Sequence, residues 1–208
     1  MKNALLTLLV VLALHPSITG RAEKPKKSAD YFPLKAGDSW TYRTIGDEGG
    51  YRIKVVSEEP PVDGSKRYLV EMDASVKVLS VFSKAGGWVL MHSQRYPEHE
   101  GLEAKYEPPR QYLPDPLVAG TKWNWKGRDY TQVEQRESHV VSGPEEVTVA
   151  AGKFKAMKIV SQITTGMSSM TKTYWYADGV GLVKSTTEGG QVKYGSELVD
   201  YSFKKPAK

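Results

Sequence analysis

The sequence predicts an all-β protein, an antiparallel barrel or half-barrel of two related halves with about a dozen strands and little helix. Three observations carry this expectation. From Tyr31 onward, apolar and polar residues alternate in short runs, the period at which one face of a sheet is buried. Clusters of Gly, Pro and Asp break those runs at short intervals, as turns between antiparallel strands do. Finally, "PLKAGDSWTYR" (Pro33 to Arg43) recurs as "PLVAGTKWNWK" (Pro116 to Lys126), so a starting device is used twice.

The first strand, "SWTYRTI", puts Trp40, Tyr42 and Thr44 on one face, and "YRIKVVS" puts Tyr51, Ile53 and Val55 on one face against Arg52 and Lys54. Between them "GDEGG" supplies the positive φ angles of a hairpin loop. "EEPPVDGS" closes that hairpin and opens a long run in which Tyr68, Val70, Met72, Val76, Val78 and Phe82 share parity. A break is expected at Asp73 to Ser75, because strands of that length bend. "KAGG" turns the chain into "WVLMHSQRY". From Pro97 to Pro116 five prolines in twenty residues predict a long loop packed by its own Tyr106, Tyr112 and Leu113, with room for a short uncapped helix in "EGLEAKY". In the second half "YTQVEQRESHVV", a turn at "SGPEE", and "VTVAAGKFKAMKIVSQITT", interrupted at "AAG" by a tight bend or hairpin, follow the repeated motif. "GMSSM", Asp178 to Gly181 and "EGG" are turns, and "QVKYGSELVDYSF" closes the domain.

The N-terminus has the layout of a secretory signal peptide: Lys2, an apolar run from Ala4 to Leu14, then small and polar residues with Gly20 and Ala22 flanking Arg21. Cleavage is expected after Ala22, with Gly20 the second choice; the run is too short to span a bilayer comfortably. Residues 1–22 are therefore assigned to the signal, 23–30 to a polar leader, 31–203 to one β domain with halves of about 31–112 and 113–203, and 204–208 to a basic tail. Loss of Lys2 and Arg21 takes the 29 basic residues to 27 against 24 acidic ones, a net charge of +3. Part of that excess sits in "EKPKK" and "KKPAK", so neither a basic face nor a nucleic-acid partner is expected. There is no Cys, hence no disulfide and no lipid thioether, and the mature chain is expected to be soluble outside the cytoplasm, in the periplasm or beyond, with no membrane span.

In the repeated motif, Pro33 and Pro116 fix φ, Gly37 and Gly120 permit a turn closed to other residues, and the next strand puts two rings on one face. Pro33, Gly37, Trp40, Pro116, Gly120 and Trp123 are thus read as structural turn residues, with the rings filling the core beneath the start of each half. Trp123 and Trp125 are the pair first in line for a ligand, because Lys122, Asn124 and Lys126 give their strand a wet opposite face. Tyr174 and Tyr176 share a face opposite Trp175 and are the second candidate pair, lining a groove. His92, His99 and His139 have no metal-ligand spacing, and Gly-x-Ser-x-Gly elbows, phosphate loops, dinucleotide fingerprints and zinc-protease motifs are all missing. No catalytic residue, metal or cofactor is expected, and the chain is not read as an enzyme.

"YFPLKAGDSWTYR", "GPEEVTVAAGKFKAMKIV" and "YWYADGVGLVK" resemble the three marker segments, in order, of a large group of exported bacterial β-rich proteins of unknown function: "yfPL-x-x-G-x-x-W-x-Y", "V-x-V-x-A-G-x-F" and "w-Y-a-x-G-v-G-l-V-k". The resemblance spans nearly all of Tyr31 to Phe203. It implies an exported location and a β fold and supplies no catalytic residues. Many of the group carry a lipobox Cys, which this chain lacks. The expected role is a non-enzymatic binding domain of the cell envelope or exterior, carrying an apolar small molecule or lipid. The alternative is a protein-interaction or envelope-assembly module with a filled core, working through exposed edges and the Pro-rich segment 97 to 116.

Overall fold

The computed structural model describes residues 28–46, 48–129 and 131–203. The expected signal peptide, most of the expected leader and the basic tail lie outside the described residues. Twelve strands follow in sequence: β1 (Ser39–Ile45), β2 (Gly50–Val62), β3 (Ser65–Asp73), β4 (Val78–Ala85), β5 (Trp88–Arg95), β6 (Glu103–Pro114), β7 (Lys122–Arg128), β8 (Glu134–Val149), β9 (Gly152–Thr165), β10 (Ser168–Ala177), β11 (Gly181–Gly189) and β12 (Val192–Ser202). Among the described residues there is no helix. Turn chemistry explains most of the divisions. At the β2–β3 turn, Asp63 and Gly64 both have positive φ (52° and 74°), the pair of values a two-residue hairpin matched to strand twist requires.

All neighbours are antiparallel, and the sheet order β6-β5-β4-β3-β2-β1-β12-β11-β10-β9-β8-β7 brings the first and last strands together at its middle. The ladder between β1 and β12 runs from Ser39↔Ser202 to Ile45↔Gly195. The two sheet edges, β6 and β7, curl round until they face each other, which makes a nearly closed barrel. Side chains close the seam: Trp123 Nε1 donates to Gln111 O (3.2 Å), and the Tyr106 and Trp125 rings meet edge-on with centroids 5.7 Å apart.

The two copies of the repeated motif fold alike. Gly37 (φ 94°) donates its N–H to Val55 O at 2.8 Å, and Val55 donates back to Asp38 O at 2.9 Å. Gly120 (φ 88°) donates to Val141 O at 2.9 Å, and Val141 donates back to Thr121 O at 2.9 Å. Each Trp then locks its half to the other one: Trp40 Nε1 donates to Val180 O (2.7 Å), and Trp123 Nε1 to Gln111 O.

Two expectations are corrected. The Pro-rich segment is not a self-packed loop, and "EGLEAKY" forms no helix: residues 103–114 are strand β6, paired with β5. The register passes from Met91↔Arg110 to Ser93↔Lys105, so Pro108 and Pro109 sit in a wide bulge on a terminal strand, where no ladder N–H is needed. Tyr106 and Leu113 pack, as expected, but into the barrel core. Similarly, "SGPEE" is a bulge inside the single strand β8, where the register shifts between Ser142 and Glu145. The expected break after Asp73 is present as the β3–β4 connection.

Candidate functional site

Inward-facing positions of β1 to β5 carry mostly apolar side chains of modest size: Ile53 and Val55 on β2, Val70 and Met72 on β3, and Val78, Ser80 and Phe82 on β4. With Trp40 and Tyr42 of β1 they surround a chamber of about 180 Å³. Tyr112, Tyr176 and Leu182 form the wall toward the second half. No charged side chain lines it. The volume exceeds that of engineered apolar cavities of about 150 Å³ that take up benzene or xenon and stay dry.

One end of the chamber is covered by the segment that precedes β1. Phe32 packs against the rings of Phe82 (5.2 Å) and Tyr112 (5.6 Å), and Phe32, Pro33 and Leu34 all face the chamber. Polar ties hold the segment across the barrel end: the Asp30 N–H donates to Asp178 Oδ1 (2.7 Å), the Gly179 N–H donates to Asp30 O (2.7 Å), and Lys84 Nζ sits 2.6 Å from Asp30 Oδ1. Asp178, in a turn by sequence, also anchors this cover.

The phenols of the chamber wall are neutral. Burial pushes Tyr42 and Tyr176 well above the ordinary phenol value, and raises Tyr112 as well. Their hydroxyls are used internally, Tyr42 donating to Leu182 O (2.9 Å) and Tyr112 hydrogen-bonding Tyr176. The chamber can therefore hold an apolar group.

Behind Tyr112 and Tyr176 the second half is filled by a buried polar cluster. Arg110 Nη2 donates to both carboxylate oxygens of Glu137, at 2.5 and 2.6 Å, and the guanidinium lies over the Trp125 ring, 4.6 Å from its centroid. His139 stacks on Trp123 (4.3 Å, 15°), shares a 2.7 Å hydrogen bond between Nδ1 and Ser161 Oγ, and places Nε2 3.1 Å from Glu137 Oε2. Burial pushes the Glu137 carboxyl up, but the His139 hydrogen bond and the Arg110 charge outweigh it and hold the group below the usual carboxylate range. Glu137, His139 and Ser161 are the residue types of a nucleophilic relay, yet Ser161 is fully buried and only about 30 Å³ remains beside it. The cluster's geometry is that of a structural ion pair that fastens β6 to β8 across the seam.

The sequence-predicted residues separate into these two regions. Tyr176 lines the chamber, and Tyr174 lies on the same barrel wall beside the polar cluster. Trp123 is core, packed between His139 and Trp88. Trp125 is half-buried under Arg110 and borders a surface groove of about 750 Å³ over the seam. Pro33 and Trp40, read as turn residues, also line the chamber. Sequence reasoning missed Arg110, Glu137 and Ser161; the available signal was parity, since Glu137 and His139 alternate in step with buried Val141.

Two solved structures share the fold. A predicted lipoprotein from Parabacteroides distasonis aligns with a TM-score of 0.53 at 12% identity, over 85% of this chain and 100% of that one. A predicted exported protein with a YmcC-like fold from Bacteroides fragilis aligns with a TM-score of 0.53 at 14% identity, over 84% of this chain and 100% of that one. No curated protein has a matching sequence. Residues 89–196, just over half of the chain and reaching from β5 to β12, match the DUF3108-like family, and the chain belongs to that family.

Proposed function

We propose that this is an exported, non-enzymatic binding protein of the cell envelope or exterior that takes an apolar guest into the chamber of its first half. The observation that carries this reading is the uncharged cavity, lined by aromatic and aliphatic side chains and covered at one end by a tied-down segment. Its volume suits a single ring or a short branched chain, below the roughly 300–1,000 Å³ of sites for drug-sized ligands. A larger lipid would enter only with Phe32 to Leu34 displaced. The signal-like N-terminus and the exported character of the resembling group support the location. The matching hydrogen bonds of the two opening turns support descent of the two halves from one duplicated unit.

Native mass spectrometry of protein gently purified from its host is expected to show a co-purifying small-molecule mass released by collisional activation. A clean apoprotein mass would count against the carrier reading. It would favour the alternative, an assembly module, for which the seam groove between the unpaired edges of β6 and β7, lined by Trp88, Tyr106, Pro109 and Trp125, is the supporting feature.

A further inference from the structure

The chamber's polar groups are unevenly spent. Its phenols are engaged within the wall, whereas Ser80 and Gln94 face the cavity and make no side-chain hydrogen bond among the described residues. These two are direct cross-strand partners on β4 and β5, so the hydroxyl and the amide stand side by side. Ser80 is only 8% exposed. Gln94 is partly buried and both side chains open onto the chamber, so a ligand bearing a matching polar group supplies a partner that the protein does not.

The pair has a defined place. Along β4, Lys84 ties down the cover through Asp30 and Phe82 packs against Phe32; Ser80 lies two residues further from that end. The chamber thus has an apolar end beneath the cover and a neutral polar end at Ser80 and Gln94. Among the described residues that line the chamber none is charged, and Lys84 at the cover is already paired with Asp30 and Asp115.

We infer that the chamber selects a neutral amphiphile, an apolar body bearing one alcohol, ester or amide group, and that Ser80 and Gln94 are the specificity-determining residues for that group. The inference rests on the chamber being a ligand site. A carboxylate is disfavoured, because it would be buried with two neutral donors and no counter-charge. A pure hydrocarbon is accepted but leaves the two side chains unpaired.

Titration calorimetry of the mature chain with benzyl alcohol, toluene and benzoate tests this, the three probes sharing one ring and differing in the group it bears. In the wild type, benzyl alcohol and toluene are expected to bind, and benzoate at least about 100-fold more weakly than benzyl alcohol. The double variant Ser80→Ala/Gln94→Met, which keeps volume and removes the donors, is expected to lose about 10-fold on benzyl alcohol while toluene stays within about threefold. Retained toluene binding also shows that the variant is folded. Equal benzyl alcohol affinity in variant and wild type, or benzoate binding as tightly as benzyl alcohol, would overturn the inference and leave the chamber itself standing. Failure of the wild type to bind toluene and benzyl alcohol alike would overturn the chamber reading and this inference with it.

Discussion

Glu137→Ala is expected to cost the fold about 3–5 kcal/mol, the range seen when one partner of a buried ion pair is removed. The Glu137 side chain is 1% exposed and the Arg110 side chain 17%, so water cannot replace the lost carboxylate. Against a total stability of about 5–15 kcal/mol this is a large fraction. Damage should begin at the seam, where β6 and β7 have no ladder between them and rely on such side-chain ties. Equilibrium denaturation in urea measures it. Because Glu137→Ala would leave Arg110 uncompensated, the paired replacement Arg110→Met/Glu137→Leu is expected to recover most of the loss. A single variant within about 0.5 kcal/mol of wild type would contradict the structural role given to the cluster.

The same pair sets an acid limit. The Glu137 pKa is depressed in the folded state, so its contribution is fully present above the unfolded value of about 4.5 and is lost as pH falls through the lower folded value. The Tm of the wild type should fall through that acid range, and the fall should be shallower in Glu137→Gln, which lacks this titrating group.

Trp40→Ala is expected to cost a further large amount, about 3–5 kcal/mol, because the ring is buried and its truncation enlarges a chamber that cannot collapse onto it. Trp40→Phe separates two contributions. It keeps most of the ring and removes the N–H that satisfies Val180 O across the two halves, a loss of about 1–3 kcal/mol. If both variants unfolded at wild-type denaturant concentrations, Trp40 would not be the lock between halves that its hydrogen bond implies.

Most of the fold was legible because its turns are written in local chemistry: Asp63-Gly64, Gly86-Gly87 and Asp178-Gly179 each end a run of fixed parity. Where proline density was high, local reasoning failed for a physical reason. Pro108-Pro109 and Gly143-Pro144 are compatible with strands when they fall in bulges, and a bulge is defined by the partner strand rather than by the segment itself. The site was less legible. Lys122, Asn124 and Lys126 show that the face opposite Trp123 is wet, but whether the rings on the other face meet space or atoms depends on what the barrel places across from them. Trp123 meets His139 and Trp88, whereas Trp40 and Tyr42 share the interior with the smaller Val70, Val78 and Ser80. The polar cluster joins positions 110, 137, 139 and 161, separations that no motif spans.

The proposed function requires that the first half enclose an accessible, largely apolar space. Crystals of residues 23–208 pressurised with xenon test this without any directional chemistry in the probe. A strong xenon peak is expected between Tyr42, Phe82, Met91 and Tyr112, and none beside Glu137 and Ser161. Absence of a xenon peak in the chamber would contradict the proposed function.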